Sequence, residues 1–284
     1  MELGIPITDD HIHVDPRGLG AKRVAELFSK SGGTHLFVVN KMTRDYGVEP
    51  SRDGFRTAFE TCISAVKEIN EDGRATAFAV VGPHPAELAY LWKVVGPQKA
   101  IAVVEDALGR AAECVREGKA VAIGEVGRPH FEVDAEVLEA SNRLLDLALG
   151  LAAEVGCAVQ LHMESGSPAQ FEELAARARR AGLEPSRVVR HFSPPLVDAG
   201  ISTGIFPSLI ASREQVSCAL KQGDRFMLET DFIDDPSRPG AVTGPRTVPR
   251  TTRYLLEKGA MDEEAAFVIH KGNVERVYGV EVSI

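Results

Sequence analysis

The sequence predicts a single (β/α)₈ TIM barrel, and three observations lead to that fold. The chain has 284 residues, close to the roughly 250 that such a barrel needs. Eight short runs of apolar and β-branched residues alternate with longer stretches of helical periodicity, which is typical of parallel βαβ units. Polar residues follow several of these runs, and a barrel gathers such positions at one mouth.

The elements alternate along the whole chain. Strands are predicted at residues 5–12, 35–39, 76–81, 120–124, 158–161, 188–190, 200–206 and 225–230. Helical spacing is clearest at residues 55–70, 101–117, 138–155 and 168–181. Glycines at the predicted helix ends favour termination before the next strand, namely Gly118, Gly156, Gly182 and Gly223. The connection at 193–199 has room for only a turn or two of helix.

A doubly wound open sheet is the structural alternative. Such a sheet usually has a glycine-rich turn after its first strand. Here His11, Ile12 and His13 end the first run, and Gly18-Leu19-Gly20 lacks a third glycine at the required spacing. The chain contains no repeat, low-complexity tract or Pro/Ser-rich linker, so one domain spanning residues 1–284 is predicted.

Composition excludes several classes of protein. Hydrophobic residues make up 44% and charged residues 26% of the chain, as in an average globular protein. No apolar run approaches the roughly 18 residues of a membrane span, and the N-terminus lacks the pattern of a secretory signal. The net charge of −9 disfavours coating of nucleic acid by the whole surface but allows a local basic patch.

The four cysteines are far apart and form no CxxC pair; they are Cys62, Cys114, Cys157 and Cys218. This spacing argues against a thiolate zinc site and a disulfide framework. We predict that they are small buried hydrophobic residues of a cytoplasmic protein, because thiols stay reduced in that compartment.

His11 and His13 form the first part of a predicted metal site. They are two residues apart at the end of the first strand, so their side chains project to the same side. In a barrel, that side is the interior at the catalytic mouth. Two adjacent imidazoles are good ligands for a borderline cation such as zinc.

Four more polar residues end other predicted strands: Glu125 the fourth, His162 the fifth, His191 the sixth and Asp231 the eighth. The strand ends of a barrel converge, so four imidazoles and two carboxylates should share one small volume. Burial of unpaired carboxylates would be costly, which favours bound metal. Zinc is the first expectation, and manganese, magnesium, iron and nickel are alternatives. His35, His130 and His270 are interpreted as core or rim residues.

Seven sequence blocks in order resemble those of the TatD family of metal-dependent hydrolases, which have amidohydrolase-like TIM barrels. The blocks are DDHIH at 9–13, VVGPHP at 80–85, AIGEVG at 122–127, LHMES at 161–165, RHFS at 190–193, LETDFIDDP at 228–236 and GNVERVYG at 272–279. Each block is weak alone, whereas their order and spacing together are specific.

The resemblance implies two divalent metal ions per chain and a role for each ligand. His11 and His13 would bind one ion, and His162 and His191 the other. Glu125 would bridge the two ions. Asp231 would bind the first ion beside the nucleophilic water, which makes Asp231 and Glu125 the implied catalytic residues. His84 would lie at the rim, either near substrate or in a structural role.

Two departures from the family pattern suggest a divergent branch. Arg128-Pro129 stands where the family usually continues with Leu-Asp after the bridging glutamate. Met163-Glu164 stands where a basic residue often follows the fifth-strand histidine. These changes leave the ligand set intact and bear on the substrate.

The segment 236–256 is the main clue to the substrate. It contains Arg238, Arg246, Arg250 and Arg253 and no acidic residue. We predict a basic loop that covers an anionic substrate, with Lys41, Arg44 and Arg128 on other mouth loops as further contacts. The alternative is that these arginines form ion pairs with neighbours such as Asp234 and Asp235.

A phosphate ester is therefore the first candidate substrate, and the resemblance favours DNA or a nucleotide. Hydrolysis of a small amide, lactone or phosphoester on the same centre is the alternative. A metal-binding protein without turnover is the least favoured interpretation. The oligomeric state is not predicted.

Overall fold

The computed structural model describes residues 4–235 and 243–283. Arg238, part of the predicted basic loop, lies outside these residues. Within the described ranges, no helix has both the length and the apolar character needed to cross a membrane.

Nine strands in the described residues form one parallel sheet that closes on itself. They are β1 Thr8–His13, β2 His35–Val39, β3 Thr76–Val81, β4 Ala122–Gly127, β5 Ala158–His162, β6 Val188–Arg190, β7 Phe206–Ile210, β8 Met227–Glu229 and β9 Phe232–Ile233. Neighbours in the sheet follow chain order from β1 to β8, and β9 pairs with the free side of β1.

The barrel closes through the last strand, which is interrupted at Thr230 and Asp231. The N–H of Asp231 donates to the carbonyl of His11 at 3.0 Å, and that of Asp234 donates to the carbonyl of His13 at 3.2 Å. β8 and β9 are therefore two parts of one eighth strand beside β1. The predicted (β/α)₈ barrel is confirmed.

Helices surround the strands. They are α1 Gly20–Ser29, α2 Arg52–Asp72, α3 Pro85–Val95, α4 Pro97–Arg116, α5 Ala135–Val155, α6 Pro168–Arg180, α7 Val197–Thr203, α8 Arg213–Leu220, α9 Thr247–Glu257, α10 Glu263–Phe267 and α11 Asn273–Tyr278. Ser51, Ser167 and Ser212 cap α2, α6 and α8, because each side chain accepts the N–H three residues later. α5 ends at Gly156, whose φ of 72° suits glycine.

The barrel interior is apolar at the amino-terminal ends of the strands, where Phe37, Ala158 and Phe206 pack against Tyr278 and Val277 of α11. The side chain of Asn273 donates to the carbonyls of Asp224 and Phe226, which precede β8. Consequently α11 closes this end of the barrel. The opposite end, where the strands finish, is left for the polar residues.

The predicted seventh strand at 200–206 is wrong. Residues Val197–Thr203 form α7, and the strand runs over Phe206–Ile210. The apolar Ile201 is 52% exposed, so it does not belong to an inward-facing run. Gly204, with a φ of 94°, ends the helix and redirects the chain into the strand.

The second half of the predicted basic loop is a helix. Thr247–Glu257 forms α9, which buries Val248, Thr252 and Leu255 at helical spacing. Arg253 on this helix donates to the carbonyl of Ser31, in the connection that precedes β2. Arg253 is thus directed to the amino-terminal end of the barrel, away from the mouth where the predicted covering loop would act.

Three cysteines are buried as expected, but Cys218 is exposed. Residue 218 lies on the outer side of α8, whose buried positions are Val216 and Ala219. The cytoplasmic location inferred from the cysteines stays a prediction.

Candidate metal centre

All six predicted ligands meet at the carboxyl ends of the strands. Three overlapping groups have ligand atoms within 4.8 Å of one another. The groups are His11 with Glu125 and His191, His11 with His13 and Asp231, and Glu125 with His162 and His84. Since Glu125 and His11 each belong to two groups, the ligands form one continuous centre.

His11 and His13 direct their Nε2 atoms at each other, 3.2 Å apart. His13 Nδ1 lies 2.9 Å from the carbonyl of Val39, and His11 Nδ1 lies 2.9 Å from Gln160 Oε1. Both partners are acceptors, so each Nδ1 carries the proton and each Nε2 presents a lone pair. Two facing lone pairs repel unless a cation or a shared proton lies between them. This donor pair therefore fits a metal ion.

The orientation of Gln160 is set by partners beneath the centre. Its Nε2 donates to the carbonyl of Asp10 at 2.8 Å and to Tyr278 Oη at 2.6 Å. With both amide protons engaged, Oε1 is left to accept from His11. Tyr278 Oη in turn lies 2.7 Å from Asp10 Oδ1. A hydrogen-bonded chain thus runs from α11 through the barrel core to His11, a predicted metal ligand.

The two oxygens of Glu125 face different sets of histidines. Oε2 lies 3.7 Å from His11 Nε2 and 3.9 Å from His13 Nε2. Oε1 contacts His162 Nδ1 directly and lies 3.5 Å from His191 Nε2. Burial opposes ionisation of Glu125, but the facing histidines, with His162 foremost, hold its pKa well below the usual value. The carboxylate is therefore charged and positioned between two ligand sets.

Glycine before Glu125 allows β4 to approach β5 closely. A Cβ on Gly124 would lie 2.8 Å from the Cβ of Gln160, which is closer than real side chains approach. Gly124 therefore brings Glu125 and Gln160 into the same part of the centre.

His191 is anchored from behind by a buried carboxylate. Its Nδ1 lies 2.8 Å from Glu229 Oε1, so its Nε2 faces the centre. Burial lowers the pKa of His191, but Glu229 more than offsets this effect and raises the pKa to about 9. Such a carboxylate–histidine pair orients the ring and increases its basicity as a ligand.

Asp231 completes the centre on the side of the first two histidines. One of its carboxylate oxygens lies 3.5 Å from His13 Nε2 and 3.9 Å from His11 Nε2. Its backbone is left-handed, with a φ of 48°, a conformation that Asp and Asn tolerate better than most residues. Its side chain is 15% exposed to solvent, so the carboxylate borders the open mouth.

A model of the family described as TatD related DNase matches residues 8–279 of the chain. The chain belongs to the TatD family. Membership and the clustered His, Glu and Asp ligands make the protein a metal-dependent hydrolase.

Similar proteins agree with this placement. An uncharacterized protein of Methanocaldococcus jannaschii is 43% identical over 282 residues, covering 99% of this chain and 98% of that protein. The structure of YjjV, a TatD homologue of Escherichia coli, has a TM-score of 0.62 at 20% identity, covering 99% of this chain and 100% of that one. The 5-methylcytosine deaminase of Klebsiella pneumoniae, liganded with 5-fluorocytosine, has a TM-score of 0.58 at 15% identity, with 96% of this chain and 74% of that one covered. The last two show the shared fold.

His84 lies inside the centre of this TatD protein, not only at its rim. Its Nδ1 accepts the N–H of Ala86 at 3.1 Å, as the cap of α3. Its Nε2 lies 3.7 Å from Glu125 Oε1. Burial lowers the pKa of His84 to about 3, so the ring is neutral at ordinary pH. The accepting Nδ1 places the proton on Nε2, which makes His84 a hydrogen-bond donor towards the centre.

Arg128, at the first departure from the TatD pattern, is fully engaged within the protein. Its five N–H groups bond to Glu164, Glu173 and Asn142. Only 7% of the side chain is exposed to solvent. Glu164 belongs to the second departure, so the two changes form one ion pair. This arrangement speaks against the predicted contact of Arg128 with substrate.

The other predicted basic contacts are divided between internal and exposed positions. Lys41 is buried and its Nζ lies 2.5 Å from Asp15 Oδ2. The carboxylate of Asp15 therefore neutralises the charge of Lys41. Arg246, just before α9, and Arg250, on α9, are exposed. These two stay the predicted contacts for an anionic substrate.

A cavity of about 620 Å³ opens beside the metal centre of this TatD protein. Its lining includes the ligands His162, His191 and Asp231 and the residues that follow β5 and β6. Its size is in the range that holds a small organic ligand.

Three residues of the site were missed by the sequence analysis, namely Gln160, Glu229 and His130. Gln160 and Glu229 precede His162 and Asp231 by two residues, so strand alternation placed them on the same side. His130 was interpreted as a rim residue, but its Nδ1 lies 2.7 Å from His162 Nε2. No motif in the sequence indicated that contact.

Replacing Gln160 with methionine is expected to weaken metal binding by about 10- to 100-fold, the usual effect of losing a partner behind a ligand. The variant removes the acceptor that holds the His11 tautomer, at similar side-chain volume. Chelator competition would measure the dissociation constant. Asn273→Leu is the control, because it removes hydrogen bonds near the start of β8 without touching a ligand. If both variants bind metal as the wild type does, Gln160 has no role in orienting His11.

Proposed function

We propose that this protein hydrolyses phosphate esters with two divalent ions held side by side. His11, His13, Asp231 and Oε2 of Glu125 would hold the first ion. His162, His191 and Oε1 of Glu125 would hold the second ion. The observation that carries the proposal is the division of the Glu125 oxygens between two histidine sets. A carboxylate in that position is suited to bridging.

Two divalent ions held by these residues would supply hydroxide near neutral pH, because metal ions lower the pKa of water. Asp231 borders the mouth beside His13 and is placed to accept the proton of the attacking water and return it to the leaving group. A role for Asp231 as a metal ligand alone is the competing assignment. His84 Nε2–H, 3.7 Å from Glu125, would donate a hydrogen bond to a substrate oxygen.

Two features support an anionic substrate. Nuclease chemistry is the activity that the family description names, and Arg246 and Arg250 are exposed in the segment that follows the eighth strand in the chain. Thr243 of that segment donates to the carbonyl of Thr230 at the end of the strand. The cationic side chains of Arg246 and Arg250 would attract a phosphate group. DNA ends or nucleotides are therefore the first candidates.

A small amide, lactone or phosphoester is the second candidate. Arg128 and Lys41 neutralise internal carboxylates, so these two groups do not contribute to a positively charged surface that could bind a DNA backbone. The cavity of about 620 Å³ also suits a small molecule better than a duplex.

Metal analysis tests the centre first. Protein purified without chelator should contain about two divalent ions per chain, with zinc expected before manganese, magnesium, iron or nickel. Chelation should abolish hydrolysis, and re-addition should restore it. A content well below one ion would overturn the proposal.

A substrate panel then separates the candidates. It pairs single- and double-stranded DNA and nucleotides with generic phosphoesters, lactones and amides. Cleavage of DNA should fall steeply as salt rises, because phosphate contacts release counterions. Salt-insensitive cleavage would contradict a role for Arg246 and Arg250. Absence of all turnover with both ions bound would favour a metal-binding protein without activity.

A further inference from the structure

We infer that the cavity beside the metal centre binds a neutral, planar heteroaromatic ring of the substrate, such as a nucleobase. The inference rests on the proposed function and specifies which part of a phosphate ester lies outside the metal centre. An aromatic face, two directional polar groups and the lack of an available arginine or lysine carry it.

The cavity is continuous with the reaction site. It has a volume of about 620 Å³ and is lined by His162, His191 and Asp231. A phosphate held at those ligands would therefore place its neighbouring group in the cavity. The volume accommodates a single ring system with its sugar.

Phe192 provides an exposed aromatic surface at this cavity. It follows the ligand His191 directly, and 52% of it is exposed. Its N–H donates to Glu229 Oε1 at 2.9 Å, and its φ is 50°, so its backbone is held by the same carboxylate that orients His191. Met163 and Pro194 add apolar surface. Planar rings stack on such an exposed aromatic side chain.

Gln215 brings an unused polar group to the same cavity. Its Oε1 is buried and has no hydrogen-bond partner among the residues that the structure describes. Since buried polar atoms are normally satisfied, we expect Gln215 to turn its amide towards a ligand in the cavity that it lines. An amide can pair with the donor and acceptor edge of a heteroaromatic ring.

His130 is the second polar group, and it lies on the side of the His162 ring that faces away from Glu125. Its Nδ1 lies 2.7 Å from His162 Nε2. When Nδ1 of His162 serves as the ligand, its proton is on Nε2, and His130 Nδ1 accepts it. The other ring nitrogen of His130, Nε2, is left for a ligand, since His130 belongs to the cavity lining.

The cavity has no available arginine or lysine in the described part of its lining. Arg190 is the one arginine or lysine there, and its guanidinium bonds to Gln170 Oε1 and to the carbonyls of His191, Met163 and Glu164. A second phosphate would find no free arginine or lysine there. The chemistry of the lining is therefore that of a neutral ring.

Calorimetric titration of the metal-loaded protein tests this inference. The ligands are the four deoxynucleoside 5′-monophosphates and 2-deoxyribose 5-phosphate, which differ by the base alone. We expect at least one nucleotide to bind about tenfold or more tightly than the sugar phosphate, as one stacked base provides. Phe192→Ala should remove most of that difference, and Gln215→Leu should reduce it. Neither variant should change binding of the sugar phosphate.

Phe267→Ala is the matched control, because Phe267 is also exposed, at 39%, but lies on α10 away from the cavity. It should leave the ratio unchanged. If all five ligands bind equally, or the preference survives in Phe192→Ala, the ring site is wrong while the proposed phosphate ester function stands. If none of the ligands binds the protein with both ions present, the proposed function itself fails.

Discussion

Glu125→Gln should lose at least one of the two metal ions and lower hydrolysis by about 10³-fold or more. Several kcal/mol of transition-state stabilisation are attributed to bound metal, and each 1.36 kcal/mol corresponds to a factor of ten in rate. A glutamine retains one carbonyl oxygen, so it can serve the set that contains His11 or the set that contains His162. The other set would face an NH₂ group, which cannot bind a cation.

The loss of charge adds to this effect. Glu125 is the carboxylate that faces both histidine sets, and without it the imidazoles would hold two divalent ions with Asp231 as the remaining acid. Metal content per chain and kcat, measured on the same preparation, would check the prediction.

Glu87→Gln is the control for this substitution. Glu87 is also buried, at 2% exposure, but its Oε1 accepts from the N–H and hydroxyl of Thr43. Burial raises the pKa of Glu87 to about 7, so loss of its charge is a smaller change. This variant should keep both ions and its activity. Full metal content in Glu125→Gln would rule out the bridging role.

Asp231→Asn should fold, keep its metal ions and lose about 10²- to 10⁴-fold in kcat, the usual contribution of general acid–base catalysis. Asparagine tolerates the left-handed backbone at this position, where φ is 48°. Its side-chain oxygen can still contact an ion beside His13. It cannot accept a proton from water, so the lost step is proton transfer.

Three measurements together identify the role of Asp231: metal content, thermal unfolding and kcat. Asp231→Ala would combine loss of the ligand with loss of the acid, so it should also lose metal. Wild-type turnover by a metal-replete Asp231→Asn would contradict the catalytic assignment. Loss of metal in both variants would leave Asp231 as a ligand only.

The positions of the six predicted ligands at the mouth could be derived from the sequence because they depend on local patterns. His162 ends AVQLH and His191 ends VVRH, and a polar residue that closes an apolar strand reaches the mouth of a barrel whatever the helices do. The prediction of the seventh strand was wrong because it, too, relied on a local pattern. The apolar Ile201 resembled a strand residue, although it lies on the exposed side of a short helix.

The substrate contacts could not be predicted in the same way. Arg128 was assigned to the mouth because of its loop, and its position there is correct. Its partners Glu164 and Glu173 are 36 and 45 residues away in the chain. Arg253 was assigned to a loop, although helix α9 directs it to Ser31 at the other end of the barrel. Each arginine is bound by residues that are distant from it in the chain, and no local sequence pattern predicts such a contact.

The sequence by itself determined the barrel and the six side chains that meet at its mouth, since strand alternation and chain order decide which side chains lie there. Tertiary structure decided how these residues are used. The proton positions on His11, His13 and His84 depend on Gln160, Val39 and Ala86. The division of the Glu125 oxygens depends on where four strands meet. Hydrogen-bond direction and charge pairing depend on contacts between residues that are distant in the chain. Only the tertiary structure therefore decides them.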